Sequence, residues 1–169
     1  MKKNLVLLGM MGVGKTTLGK IVAKKKNLNF FDSDREIEIK NSMKISEIFK
    51  KKGEQFFREE EEKEILKLLE KNKSIISIGG GAFINKNIRN KVLKDSLSIW
   101  LDINLKTLNK RVKWKKTRPL LYDRNNQVEI NKLYAKRKNI YRLANYKIDC
   151  NNLTKSDIAK KIIEFYENQ

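Results

Sequence analysis

Histidine is absent from the 169 residues, and cysteine and proline occur once each, at Cys150 and Pro119. The missing imidazole excludes a Ser-His-Asp triad, a histidine metal site and histidine proton transfer. One thiol excludes an intrachain disulfide and a cysteine metal site, and it predicts a reducing, cytoplasmic setting. No apolar run approaches the ~20 residues of a membrane span, so no membrane partner is expected. Leu5–Leu8 is too short for the core of a signal peptide, and no secretory leader is expected. Acidic residues are few beside basic ones: 20 against 39, for a net charge of +19. That charge attracts anionic ligands. Its lysines are nevertheless spread over most predicted helices and mixed with glutamate, as between Glu59 and Lys71. Dispersed charge of this kind marks solvated faces, and nucleic acid is not expected as a partner. Arginine is scarce too, at eight against thirty-one lysines. Each arginine therefore marks a position where a planar, forked donor for carboxylate or phosphate can be required.

What is present is concentrated. Six of the eight glycines lie in two short segments. The first is Gly9-Met-Met-Gly-Val-Gly-Lys-Thr16, a full match to the phosphate-binding P-loop. An apolar run, Leu5–Leu8, leads into it and a helical pattern, Thr16–Lys26, leads out. In such a loop the backbone N–H groups and the positive end of the helix face phosphate oxygens. Lys15 reaches the β- and γ-phosphates, and the Thr16 hydroxyl binds Mg²⁺. The second segment is Gly79-Gly80-Gly81, where a ligand can approach the backbone closely.

The length suits one domain, 1–169, with a substantial core. Short apolar strands are predicted at Asn4–Leu8, Asn29–Asp32, Ser74–Ile78, Leu97–Leu101 and Lys147–Cys150. Helical patterns cover Thr16–Lys26, Arg35–Lys40, Ser46–Lys51, Glu54–Lys71, Lys86–Leu93, Leu105–Lys113, Glu129–Leu143 and Lys155–Tyr166. Ser46 or its neighbour is expected to cap the third of these and Thr154 the last. Alternating strands and helices predict an α/β three-layer sandwich around a five-stranded parallel sheet, with ligands at the carboxyl ends of the strands. The region 113–127 lacks periodicity and reads as a lid.

Several residues in this frame can carry chemistry. Asp32-Ser-Asp34 ends the second strand. Asp32 can hold Mg²⁺ through water, and Asp34 can orient an acceptor hydroxyl and take its proton. A helix cap at Arg35 is the other role open to Asp34. Arg58 and Glu61 share a helix face, which by itself predicts only a surface ion pair. Arg118 lies in the lid segment Thr117-Arg-Pro-Leu-Leu121 and can stabilise charge on a transferred group. Arg111 can pack on a nucleotide base. Arg137 and Tyr141 lie four apart on a helix and, without further context, read as its surface. Leu97–Asp102 imitates a metal-binding strand end but reads as structural, because Asp32 already offers that carboxylate.

In order along the chain, these motifs resemble the shikimate kinase family. They are Gly9–Thr16, Asp32–Asp34, Ile45-Ser-Glu-Ile-Phe49, Gly53–Glu61, Gly79–Gly81, Arg118–Leu121 and Arg137–Tyr141. The resemblance implies a nucleoside monophosphate kinase-like fold with strand order 2-3-1-4-5 and a substrate-binding region at about 33–62. It implies transfer of the ATP γ-phosphoryl group to the 3-hydroxyl of shikimate, in a monomeric enzyme on the route to chorismate and the aromatic amino acids. It places ATP on Gly12, Val13, Gly14, Lys15, Thr16 and Thr17 with Arg111 and Arg118, and Mg²⁺ on Thr16 and, through water, Asp32. Shikimate falls to Asp34, Arg58, Arg137 and the Gly79, Gly80, Gly81 turn, with Asp34, Lys15 and Arg118 catalytic. The adenine loop Cys150-Asn-Asn-Leu153 departs from the family in lacking an arginine. The rival readings are a gluconate kinase-like or other small-molecule kinase, and a basic ATP-dependent RNA-binding protein with clustered cations and exposed aromatics.

Overall fold

The structure, a computed structural model, describes residues 4–113 and 126–168. Five strands, β1 (Asn4–Leu8), β2 (Asn29–Asp32), β3 (Ser74–Ser77), β4 (Ser96–Asp102) and β5 (Tyr146–Asp149), form one parallel sheet in the order β2-β3-β1-β4-β5. The helices are α1 (Lys15–Lys26), α2 (Ser33–Asn41), α3 (Ile45–Leu69), α4 (Lys86–Asp95), α5 (Leu105–Lys113), α6 (Asn126–Tyr141) and α7 (Lys155–Glu167). Every residue of β1, β3 and β4 is buried, as befits central strands covered on both faces. β2 and β5 form the edges and are more exposed. The sheet is flanked by helices, with α1 against α7 and α3 against α4. Among the described residues no helix is long and apolar enough to cross a membrane.

This order positions the site. β2, β3 and β1 are neighbours, so the segments leaving their carboxyl ends emerge side by side. Those segments are Asp32–Asp34, Gly79–Gly81 and the P-loop. All three motifs therefore meet along one half of the sheet's carboxyl edge, where ligands of such folds bind.

Local chemistry explains the boundaries. Asp32 is the N-cap of α2 and accepts from the Arg35 N–H at 3.4 Å, so the cap is Asp32 rather than Asp34, which lies inside the first turn. Ser46 does not cap α3. The N-cap is Lys44, whose backbone N–H is met by the Glu47 carboxylate at 2.8 Å. Thr154 and Asp157 form the expected reciprocal cap on α7. β5 begins one residue earlier than its apolar run suggests, because Tyr146 pairs with Ile99.

α3 is bent. Gly53 has φ 84° and ψ 169°, which separates a helix over 45–52 from one over 54–69. That backbone region belongs almost entirely to glycine. A Cβ at Gly53 would meet nothing within 4 Å, so the requirement is conformational, not steric. Gly53→Ala should lower unfolding stability by roughly 1–3 kcal/mol in urea denaturation. Unchanged stability would mean that the bend does not depend on glycine. The two arms of α3 and helix α2 enclose a small core of Ile37, Ile48 and Phe57, separate from the main core around the sheet.

Candidate active site

The P-loop turns through Gly9, Gly12 and Gly14, all at positive φ, before α1 begins at Lys15. Its first helical turn opens on the glycine loop, so its N–H groups can point at an anion. Lys15 is buried, and its Nζ donates to the carbonyls of Gly9 at 2.8 Å and Met10 at 3.0 Å. Thr16 and Thr17 are exposed at the helix start. The Thr16 hydroxyl donates to Asp32 Oδ2 at 2.5 Å and thereby ties α1 to the end of β2. Two hard oxygen donors beside a phosphate loop form a set that suits Mg²⁺. Arg111 extends toward the loop from outside and donates to the Val13 carbonyl at 3.3 Å.

Next to the loop lies a cavity of about 930 Å³. Asp34, Arg58, Glu61, Arg137 and the glycine turn line its polar side, and Phe49 and Phe57 form an apolar wall. Asp34 enters from the first turn of α2, Arg58 and Glu61 from the long arm of α3, and Arg137 from α6. The phenyl rings of Phe49 and Phe57 lie 4.7 Å apart, and the Arg58 guanidinium sits 5.1 Å from the Phe57 ring.

Arg58 is more than the exposed ion pair that its spacing predicts. Its Nη1 donates to Glu61 Oε2 at 2.6 Å, and its Nε and Nη2 reach Glu54 at 3.3 and 3.2 Å. Glu61 is only 2 % exposed. Burial pushes the Glu61 carboxyl up, Arg58 draws it down less strongly, and the Asp34 charge pushes it up again. On Arg58 itself burial opposes the charge, but Glu61 and Glu54 together outweigh it and raise the pKa. The geometry is that of an ion pair in which burial works against the charge of both partners. Glu54 is the partner that the sequence reading missed, although it lies four residues before Arg58 on the same helix face.

The glycine turn lines the cavity and is crowded by side chains of the protein itself. None of the three has a positive φ, and the Gly79 N–H is already held by the Ser33 hydroxyl at 3.1 Å. Instead, each residue leaves room for a different side chain. A Cβ on Gly79 would lie 2.6 Å from Glu61 Oε1 and 2.9 Å from Asp34 Oδ1. On Gly81 it would lie 2.8 Å from Arg58 Nη1. On Gly80 it would lie 3.3 Å from Arg137 Nη1, 3.4 Å from Met11 N and 3.5 Å from the Gly9 carbonyl. One turn thus gathers two carboxylates and two guanidinium groups and rests against the P-loop. Arg137 and Tyr141, whose spacing alone reads as a helix surface, are 7 % and 1 % exposed.

Asp102, the strand-end decoy, accepts from Tyr134 Oη at 3.0 Å and Lys147 Nζ at 2.9 Å, a structural arrangement. Among the described residues no cluster of three or more acidic, cysteine or histidine side chains is placed to hold a metal ion. Arg118 and most of the expected lid lie outside the described residues. The described groups can bind a small carboxylate with two forked donors, hold a hydroxyl against a carboxylate, and do so beside a phosphate loop.

Comparison with known proteins supplies the remaining findings. A family model described as shikimate kinase matches residues 11–167. A shikimate kinase from Sulfurihydrogenibium sp. is 43 % identical over 161 residues, covering 95 % of this chain and 96 % of that one. The structure of a shikimate kinase from Acinetobacter baumannii in complex with shikimate superposes with a TM-score of 0.95 at 32 % identity, covering 99 % of this chain and 94 % of that one. A gluconokinase from Sinorhizobium meliloti superposes with a TM-score of 0.61 at 11 % identity, covering 98 % of this chain and 94 % of that one, and shares the fold alone.

Proposed function

The chain belongs to the shikimate kinase family, and from that membership we propose how its residues divide the work. The enzyme transfers the γ-phosphoryl group of ATP to the 3-hydroxyl of shikimate, giving shikimate 3-phosphate and ADP, a step toward chorismate and the aromatic amino acids. ATP lays its phosphates on the N–H groups of Gly12–Thr17, with Lys15 swinging from the Gly9 and Met10 carbonyls onto the β- and γ-phosphates. Thr16 and, through water, Asp32 hold Mg²⁺, which when bound neutralises charge on those phosphates. Arg58 and Arg137 grip the shikimate carboxylate with bidentate hydrogen bonds, and Phe49 and Phe57 pack beside its ring. Asp34 orients the 3-hydroxyl. As the new O–P bond forms and the bond to the ADP oxygen breaks, Asp34 takes the hydroxyl proton. Arg118 closes over the phosphates and stabilises charge on the group in flight. Arg111 packs at the base, since the loop 150–153 offers no arginine.

The observation that carries this division is the Gly79–Gly81 turn, whose missing side chains bring Asp34, Glu61, Arg58 and Arg137 around one cavity beside the P-loop. One domain, with an acceptor region at 33–62 and a lid at 113–127, acts as a monomer in the cytoplasm without nucleic acid. A coupled assay of ADP release with shikimate, gluconate and AMP tests the substrate. Release should depend on shikimate alone. Turnover of gluconate or AMP instead would move the enzyme to another small-molecule kinase activity.

A further inference from the structure

Tyr141 has no part in the chemistry above, yet it is among the most buried polar side chains of the molecule, at 1 % exposure. Its ring packs 5.9 Å from that of Trp100 on β4. Its hydroxyl donates to the Gly80 carbonyl. The Met10 sulfur lies 3.8 Å away, a weak acceptor that cannot compete with the carbonyl for the one phenolic proton. Arg137 lies one helical turn back on α6, on the same helix face, and its charge acts on the phenol. Burial pushes the phenol up to about 12, so it remains a donor throughout the physiological range.

The position of Gly80 gives this contact its meaning. A side chain at Gly80 would meet Arg137 Nη1, and with it the P-loop atoms Met11 N and the Gly9 oxygen. One hydroxyl therefore fixes the turn against which both the donor loop and the Arg137 guanidinium rest. A long arginine left to itself samples many rotamers, and fixing it before the substrate arrives removes that cost from binding.

We propose that Tyr141 is a positioning residue for the acceptor carboxylate: its hydroxyl holds the Gly80 carbonyl, and the turn so fixed seats the Arg137 guanidinium in the pocket. This role rests on the assignment of the shikimate carboxylate to Arg58 and Arg137. Tyr134 provides the internal comparison. It lies on the same helix, three residues before Arg137, but its hydroxyl donates to Asp102, away from the acceptor cavity.

The test measures KM and kcat for wild type, Tyr141→Phe and Tyr134→Phe with shikimate and with its carboxamide analogue, which lacks the carboxylate charge, alongside thermal melting. Tyr141→Phe should raise the shikimate KM about tenfold, the order expected when one buried hydrogen bond that seats a charged group is lost. It should leave the KM for ATP within about twofold and the KM for the carboxamide unchanged from wild type. Tyr134→Phe should lose stability but keep the shikimate KM within about twofold. Equal KM increases for shikimate and carboxamide, an equal effect of Tyr134→Phe, or an unchanged shikimate KM in Tyr141→Phe would each overturn the positioning role while wild-type turnover of shikimate leaves the family assignment standing. Absence of wild-type turnover would overturn the assignment and this role together.

Discussion

Replacement of Asp34 by asparagine should lower kcat by about 10²–10⁴-fold, the usual contribution of a positioned general base. The substitution is nearly isosteric, and Asp34 lies in the first turn of α2, where the cap is supplied by Asp32. The helix should therefore keep its place, and the melting temperature should change little. An amide can still accept a hydrogen bond from the shikimate hydroxyl, so KM for shikimate should shift by far less than kcat. It cannot take the proton that must leave as the O–P bond forms. Glu61 lies near the same face of Gly79 but does not replace it, because its carboxylate is engaged by Arg58 at 2.6 Å. A loss confined to KM would reduce Asp34 to a binding group and leave the proton's destination to solvent.

The second large effect concerns Arg58. Arg58→Lys should raise the shikimate KM by about 10–100-fold, matching the ~1.5–3 kcal/mol of hydrogen bonding to a charged group. A lysine retains charge but not the planar fork that meets a carboxylate through two parallel bonds. It also cannot span Glu54 and Glu61 at once, as the guanidinium does. Alanine would be the worse probe. Removing the cation strands a Glu61 carboxylate that is 2 % exposed, and a buried charge left without its partner destabilises the fold and confuses the kinetic reading. Steady-state kinetics with each substrate varied in turn distinguish the outcomes. KM for ATP should be unaffected, and an unchanged shikimate KM would remove Arg58 from the carboxylate site.

These residues show what the sequence could disclose and where it was silent. The P-loop, the five strands and their parallel arrangement follow from local signals: glycine spacing, short apolar runs and intervening helical periodicity. Strands β1 and β2 fall where the apolar runs place them. The ends of β4 and β5 differ because pairing register, not hydrophobicity, decides them. The acceptor side was legible only as a series of motifs in order. Arg58 and Glu61 look like any surface pair three residues apart, and burial of the glutamate arises from α2 and the glycine turn folding over it. Helix α6 hides its inward face even better. Its buried positions include Ile130, Arg137 and Tyr141, so a charged residue occupies the stripe that an apolar pattern would reveal. The three glycines announced a close approach, but local chemistry could not say which side chains of the protein also crowd the turn.

The small cluster of Ile37, Ile48 and Phe57 has a consequence for how such enzymes diversify. It shares no member with the large core that stabilises the sheet. Mutations within it can reshape the wall around the acceptor while the donor machinery is inherited intact. A lineage can therefore explore new phosphoryl acceptors by altering a handful of apolar positions and one bend, without relearning how to hold a nucleotide.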